Sequence, residues 1–122
     1  MISFERFCQV VSEAIDSLPE EFRGRLKNIA TMVETRPTRG LLRSLGHRKD
    51  ESLFAVYQGT PLTDRGAHDP LLPDTITIFY ETFLQHCKSE VEIRRQVRIT
   101  VIHEVAHHFG MDEDEIEKLG YG

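Results

Sequence analysis

The sequence lacks the features that define several large classes of protein. It has no tryptophan and only two cysteines, Cys8 and Cys87, too few for a disulfide framework, so we expect two free thiols in a cytoplasmic protein. No apolar run approaches the roughly 20 residues of a membrane span, and the first residues do not read as a signal peptide. The 15 basic and 20 acidic residues give a net charge of -5. These absences argue against membrane proteins, secreted disulfide scaffolds and strongly basic nucleic-acid binders.

The apolar residues that are present suffice for one small core. The chain has 122 residues, of which 39% are hydrophobic and 29% are charged. This composition is typical of a folded domain rather than a disordered segment. At this length we predict one domain over residues 1–122.

Apolar spacing and turn residues predict the order of the secondary structure. We predict helices over residues 4–18, 82–87, 90–109 and 112–119, and a further short helix that begins near Pro19. We predict strands over residues 28–35, 52–58 and 75–80. Residues 36–50 are basic and irregular, so a mobile loop with one helical turn around Leu41 and Leu42 is expected there. Helices and strands that do not alternate indicate an α+β domain with a small sheet packed on helices.

One motif carries recognisable chemistry. Residues 103–113 read HEVAHHFGMDE, which is HExxH followed by Gly110 three residues after the second histidine. His103 and His107 are separated by about one helical turn, so both imidazoles face the same point and can share a metal ion. Glu104 lies beside them and can hold a metal-bound water without being a ligand. We therefore predict a catalytic Zn²⁺ site with one position open to water.

The third metal ligand is predicted within the acidic run that follows the motif. Gly110 allows a left-handed turn, after which a side chain can reach back to the metal. Glu113 stands three residues beyond Gly110 and is the preferred candidate. Asp112 is expected to cap the next helix and Asp114 comes one residue late, although both stay open as alternatives.

The surroundings of the motif allow further expectations. Apolar residues, among them Val101 and Phe109, cover most of the motif helix and leave a polar strip that holds both candidate ligands and Glu104. Buried polar groups need partners, which a metal and its water supply. The remaining histidines have no ligand spacing and are expected to be ordinary packed or polar residues: His47, His68, His86 and His108. Residues 57–65 either line the cleft beside the metal or form a rigid turn with Arg65 in a salt bridge.

The chain resembles the minimal zincins, small bacterial proteins predicted to be zinc metallopeptidases with the motif HExxHxxGxx(D/E). Besides the motif, the similarity covers residues 13–20, 28–33, 57–65 and 72–79. The resemblance implies a zincin-like α+β fold, in which a small mixed sheet of about three to four strands packs on the buried motif helix and an N-terminal helix. It also implies His103 and His107 as ligands and Glu104 as general base, with aspartate common at the position of Glu113.

The leading functional hypothesis is a zinc-dependent hydrolase of peptide bonds. Zinc would lower the pKa of its water to about 7, and Glu104 would take the proton and pass it to the leaving nitrogen. One alternative is a metal-dependent nuclease of single-stranded RNA, since ribosomal-RNA-maturation endoribonucleases use a similar His-x3-His-x5-His helix and residues 36–49 are basic. Another is a non-catalytic module in which zinc stabilises a binding domain. We expect a peptide or protein substrate, and neither a membrane nor nucleic acid as partner.

Overall fold

The fold combines helices with a three-stranded sheet. The structure is a computed structural model, which describes residues 2–46, 53–59 and 74–118. The helices are α1 (Phe4–Asp16), α2 (Glu20–Leu26), α3 (Arg39–Ser44), α4 (Tyr80–His86), α5 (Glu90–His108) and α6 (Glu113–Lys118). The strands are β1 (Ile29–Glu34), β2 (Ala55–Gln58) and β3 (Asp74–Phe79). The sheet has the order β1-β3-β2, in which β1 is parallel and β2 antiparallel to β3. The predicted α+β class with a small mixed sheet is confirmed.

Local sequence signals set the starts of the two long helices. The hydroxyl of Ser3 accepts a hydrogen bond from the backbone N–H three residues later, at 3.0 Å, and begins α1. The hydroxyl of Ser89 does the same for α5 at 3.2 Å. Each bond satisfies one of the N–H groups that a helix start leaves without an intrahelical partner.

One hydrophobic core joins the sheet to the helices. Helix α1 packs along α5, and α5 also contacts β2. The fully buried side chains include Phe7, Val10, Phe22, Ile76, Ile78, Phe83, Val97 and Val101. Each such side chain contributes roughly 1.5–3 kcal/mol through burial. Cys8 is half-buried and Cys87 is buried, and both are free thiols, as predicted.

The basic stretch after β1 is more ordered than its composition predicts. We expected an irregular loop with one helical turn, whereas residues 39–44 form α3. The Thr38 hydroxyl accepts the Leu41 N–H at 3.0 Å and begins this helix, and Leu41 and Leu42 are half-buried. A cap and two packed leucines therefore outweigh the low helix propensity of Gly40. Residues 47–50 of the predicted loop lie outside the described residues.

None of the helices in residues 2–46, 53–59 and 74–118 is long and apolar enough to cross a lipid bilayer.

A network of ion pairs connects α1 to α5 at the surface. The Arg94 Nη2 lies 2.7 Å from Glu13 Oε2, and Arg6 pairs with both Glu13 and Glu90. The hydrogen bond from Arg94 is the main cause that holds the pKa of Glu13 below its ordinary value of 4.5. The hydrogen bond from Arg6 does the same for Glu90. Carboxylates with lowered pKa values stabilise the fold above pH 4.5, and this stabilisation is lost as the pH falls through the lowered values.

Replacing Arg94 by methionine is therefore expected to change how stability depends on acid. The free energy of unfolding of wild type and Arg94→Met should differ most near neutral pH, and the difference should shrink as the pH falls below 4.5. The effect at neutral pH should be small, because these pairs are exposed. Urea unfolding at a series of pH values measures it. Arg95→Met, at an exposed neighbouring position, is the control, and an Arg94→Met difference that does not vary with pH would contradict the assignment.

Candidate metal centre

The two motif histidines lie side by side near the end of α5. The ring centres of His103 and His107 are 6.3 Å apart, and the ring planes cross at 79°. Two imidazoles that share one tetrahedral zinc have ring centres roughly 5 Å apart, given a Zn–N distance of about 2.0–2.1 Å. The separation in this structure is about 1 Å larger than that. The two imidazoles are donors of the kind that zinc binds, and they lie one helical turn apart on α5.

Glu104 is half-buried next to these histidines. Burial raises the pKa of its carboxyl group. His107, a hydrogen bond from the backbone N–H of Tyr57, and His103 each counteract this rise, but only in part. A carboxylate with a raised pKa is a better proton acceptor near neutral pH than an ordinary surface carboxylate. Glu104 thus combines partial burial, a raised pKa and two neighbouring imidazoles.

A cleft of about 320 Å³ ends at Glu104 and His103. It is lined by Leu53, Phe54 and Ala55 on one side and by Gln96, Ile99, Thr100, His103 and Glu104 of α5 on the other. Among the described residues of this lining, His103 and Glu104 carry the only ionisable side chains. The Gln96 amide donates to the Thr100 hydroxyl at 3.1 Å. Two of the polar groups that line the cleft are therefore hydrogen-bonded to each other.

The backbone of β2 forms one border of this cleft. The Phe79 N–H donates to the Phe54 carbonyl at 2.9 Å, which makes these two residues a hydrogen-bonded pair across β2 and β3. Because such pairs alternate along an antiparallel ladder, the backbone N–H and C=O groups of Ala55 and Tyr57 point away from β3. The hydrogen bond from the Tyr57 N–H to Glu104 agrees with this alternation. The outer edge of β2 therefore faces α5.

A second cluster beside the motif was not found from the sequence. The Tyr57 hydroxyl donates to Asp74 Oδ2 at 2.7 Å. The His108 ring stacks on the Tyr57 ring with centres 4.0 Å apart, and its Nε2 lies 3.6 Å from the same Asp74 oxygen. We expected His108 to be an ordinary packed or surface residue. No sequence signal connects Tyr57 to Asp74, because strand pairing alone brings them together.

The end of α5 is more exposed than we predicted. Phe109 was predicted to be part of the apolar surface, but 44% of it is exposed, and it contacts the Arg25 guanidinium at 4.8 Å from its ring centre. His107 is also exposed. The helix ends here, and a helix end has fewer neighbours to cover it than the middle. The argument that a buried polar side chain needs a hydrogen-bonding or metal partner therefore applies to His103 and Glu104 and not to His107.

The turn after α5 has the predicted backbone. Gly110 has a φ of 72°, the left-handed conformation that glycine adopts without strain. The Asp112 carboxylate accepts the Glu115 N–H at 2.8 Å, so its predicted role as a cap is confirmed. The Glu113 side chain lies outside what the structure describes, and its role as third ligand stays a prediction. Among the side chains that are described, no three of His, Cys, Asp or Glu converge on one point suited to a metal ion.

Of the other histidines and the segment 57–65, the structure describes only a part. His47, His68 and residues 60–65 lie outside the described residues. The centre of the His86 ring lies 5.3 Å from the centre of the Phe54 ring, and Phe54 lines the cleft.

Substitutions in the acidic run can distinguish the predicted metal ligand, Glu113, from the helix cap, Asp112. We expect Glu113→Ala to weaken zinc binding by more than the roughly 10- to 100-fold that loss of an outer partner costs. Asp112→Ala should keep its zinc affinity and lose about 1 kcal/mol of stability with the cap. Zinc competition titrations and urea unfolding of both variants distinguish these outcomes, with Glu117→Gln at an exposed position of α6 as the control. Equal zinc affinity in Glu113→Ala and wild type would exclude Glu113 as a ligand.

Comparisons with known proteins agree with this picture. A family model described as zincin-like metallopeptidase matches residues 26–122. No curated protein matches the chain. Among solved structures, a conserved hypothetical protein from Thermo thermophilus is similar, with a TM-score of 0.58 and 22% identity, over 88% of this chain and 94% of that one. At this identity the likeness supports the fold alone.

Proposed function

Because the chain belongs to the zincin-like metallopeptidase family, whose members are metal-dependent hydrolases, we propose that it cleaves peptide bonds. In this proposal His103, His107 and Glu113 hold Zn²⁺ and Glu104 is the general base. The observation that carries the proposal is the position of Glu104, half-buried and lining a cleft that His103 also lines.

Two histidines are suited to hold the metal. His103 and His107 bind zinc through neutral imidazole nitrogens, so affinity falls as the pH drops and these nitrogens are protonated. When bound, zinc supplies a Lewis acid that polarises a carbonyl and lowers the pKa of water to about 7.

Glu104 supplies the proton transfer. The Tyr57 N–H interacts with the Glu104 carboxylate, and a carboxylate oxygen of Glu104 accepts a proton from the attacking water in this proposal. The same oxygen can then deliver that proton to the leaving nitrogen. Burial supports the first of these steps, because it raises the affinity of the carboxylate for the proton.

The cleft beside Glu104 suits an extended peptide. The outward N–H and C=O groups of Ala55 can pair with the backbone of a substrate strand, in the manner of β-strand addition. The lining residues Leu53, Phe54, Ala55 and Ile99 are apolar and favour apolar substrate side chains where they lie. The substrate class we propose is therefore an extended, unfolded stretch of polypeptide.

The nuclease alternative receives less support. It depends on the basic stretch after β1, and the Arg36 guanidinium of that stretch already binds Glu81 through two hydrogen bonds of 2.8 and 2.7 Å. One of its charges is thus neutralised within the domain.

The proposal is tested by incubating the zinc-loaded chain with an unfolded protein and with single-stranded RNA, each with and without chelator. We expect new peptide fragments that the chelator abolishes, and intact RNA. Chelator-sensitive cleavage of the RNA alone would favour the nuclease. A zinc-loaded, folded chain that cleaves neither substrate would favour the non-catalytic module.

A further inference from the structure

We propose that Tyr57 is a positioning residue, which anchors the edge strand β2 to Asp74 and His108 and thereby holds the carboxylate of Glu104 in place. The proposal assigns a role to three side chains outside the HExxH motif. Its kinetic consequence rests on the proposed peptidase function, but its structural consequence does not.

The first step is that Tyr57 contacts α5 at two points on one face. Its backbone N–H donates to the Glu104 carboxylate, and its ring stacks on His108 at 4.0 Å. Glu104 and His108 are four residues apart, so they lie on one side of the helix, one turn from each other. The polar residues of this helix end thus form two neighbouring pairs. His103 and His107 face the metal site, and Glu104 and His108 face β2.

The second step is that Asp74 holds the other end of the Tyr57 side chain. The hydroxyl of Tyr57 donates to Asp74 Oδ2 at 2.7 Å, and only 19% of the Asp74 side chain is exposed. Asp74 begins β3, the central strand of the sheet. The bond therefore links the edge strand to the centre of the sheet through a side chain, in addition to the backbone ladder.

The third step is that the bond between Tyr57 and Asp74 lies next to the end of β2. The strand has four residues and ends at Gln58, so the Tyr57 N–H stands near a strand end, where backbone pairing is weakest. A loosened end would let this N–H move away from Glu104. Because a displacement of about 1 Å at a catalytic group can lower a rate by up to about 100-fold, this attachment is expected to matter for turnover.

The direct test is backbone amide exchange of the full zinc-loaded chain, followed by NMR. Tyr57→Phe and Asp74→Leu each remove the bond between the Tyr57 hydroxyl and residue 74, and each should speed exchange at residue 57 by roughly five- to tenfold relative to Val56. Val56 is the reference because its register partner is Thr77 of β3. The matched control is Tyr80→Phe, which removes a tyrosine hydroxyl that donates to the Ile2 carbonyl and should leave residue 57 unchanged. Unchanged relative exchange at residue 57 in both Tyr57→Phe and Asp74→Leu would overturn the proposal.

The kinetic test separates positioning from binding and from folding. Both variants should bind zinc as wild type does and lower kcat about tenfold or more, with KM within about twofold. The double variant should fall no further than either single one, since both remove the same hydrogen bond. Faster exchange at residue 57 with unchanged kcat in an active enzyme would refute the positioning role. If wild type hydrolyses nothing, the proposed function fails and the exchange measurement alone decides whether Tyr57 holds Glu104.

Discussion

Replacing Glu104 by glutamine is expected to lower kcat by roughly 10²- to 10⁴-fold, the usual contribution of a general base, while the chain binds zinc as before. Glutamine keeps the shape of the side chain, and its amide oxygen can still accept the Tyr57 N–H. It cannot take a proton from water. Zinc content by elemental analysis and initial rates of peptide cleavage measure the two halves of this prediction.

The control for this substitution is Glu117→Gln, an exposed position on α6, which should leave both zinc content and rate unchanged. If Glu104→Gln cleaved peptides as fast as wild type, Glu104 would not be the base. If it lost zinc instead, Glu104 would be a ligand rather than a base.

Replacing His103 by alanine is expected to remove zinc from the chain at neutral pH. His103 is one of two imidazoles whose ring centres lie 6.3 Å apart, and a single remaining histidine with one carboxylate leaves too few ligands for a stable site. The measurement is zinc per chain in protein purified without a metal-affinity tag and then supplied with zinc.

His86→Ala provides the matched control, because this histidine lies on α4 beside Phe54 and not in the motif. It should keep the zinc content of wild type. Far-ultraviolet circular dichroism of both variants shows whether the fold is retained, so that loss of metal is not confused with loss of structure. Full zinc content in a folded His103→Ala variant would refute the ligand assignment.

The parts of the fold that depend on neighbouring residues were predictable. Helix α5 and its Ser89 cap follow from apolar spacing and a capping residue, both of which act within a few residues. Gly110 was predicted to adopt a left-handed conformation for the same reason. The stretch that forms α3 was predicted as a loop with one helical turn around Leu41 and Leu42, and the Thr38 cap that begins this helix was not recognised.

The parts that depend on strand pairing were not predictable. Nothing in the sequence states that β3 lies between β1 and β2, since a strand pattern specifies which face is apolar but not which neighbour it meets. The cleft at Glu104 and the bond between Tyr57 and Asp74 both follow from that order. The exposure of Phe109 likewise reflects where the neighbouring elements stop.

The sequence by itself determined that one helix carries two histidines and a glutamate at the spacing of a metal site, because an α-helix brings residues four apart to one face whatever surrounds it. Tertiary structure alone decided which of these groups are buried, which strand edge they meet and that His108 stacks on Tyr57. Burial and hydrogen bonding across elements are what adjust the pKa of Glu104, and they arise only when distant segments pack together.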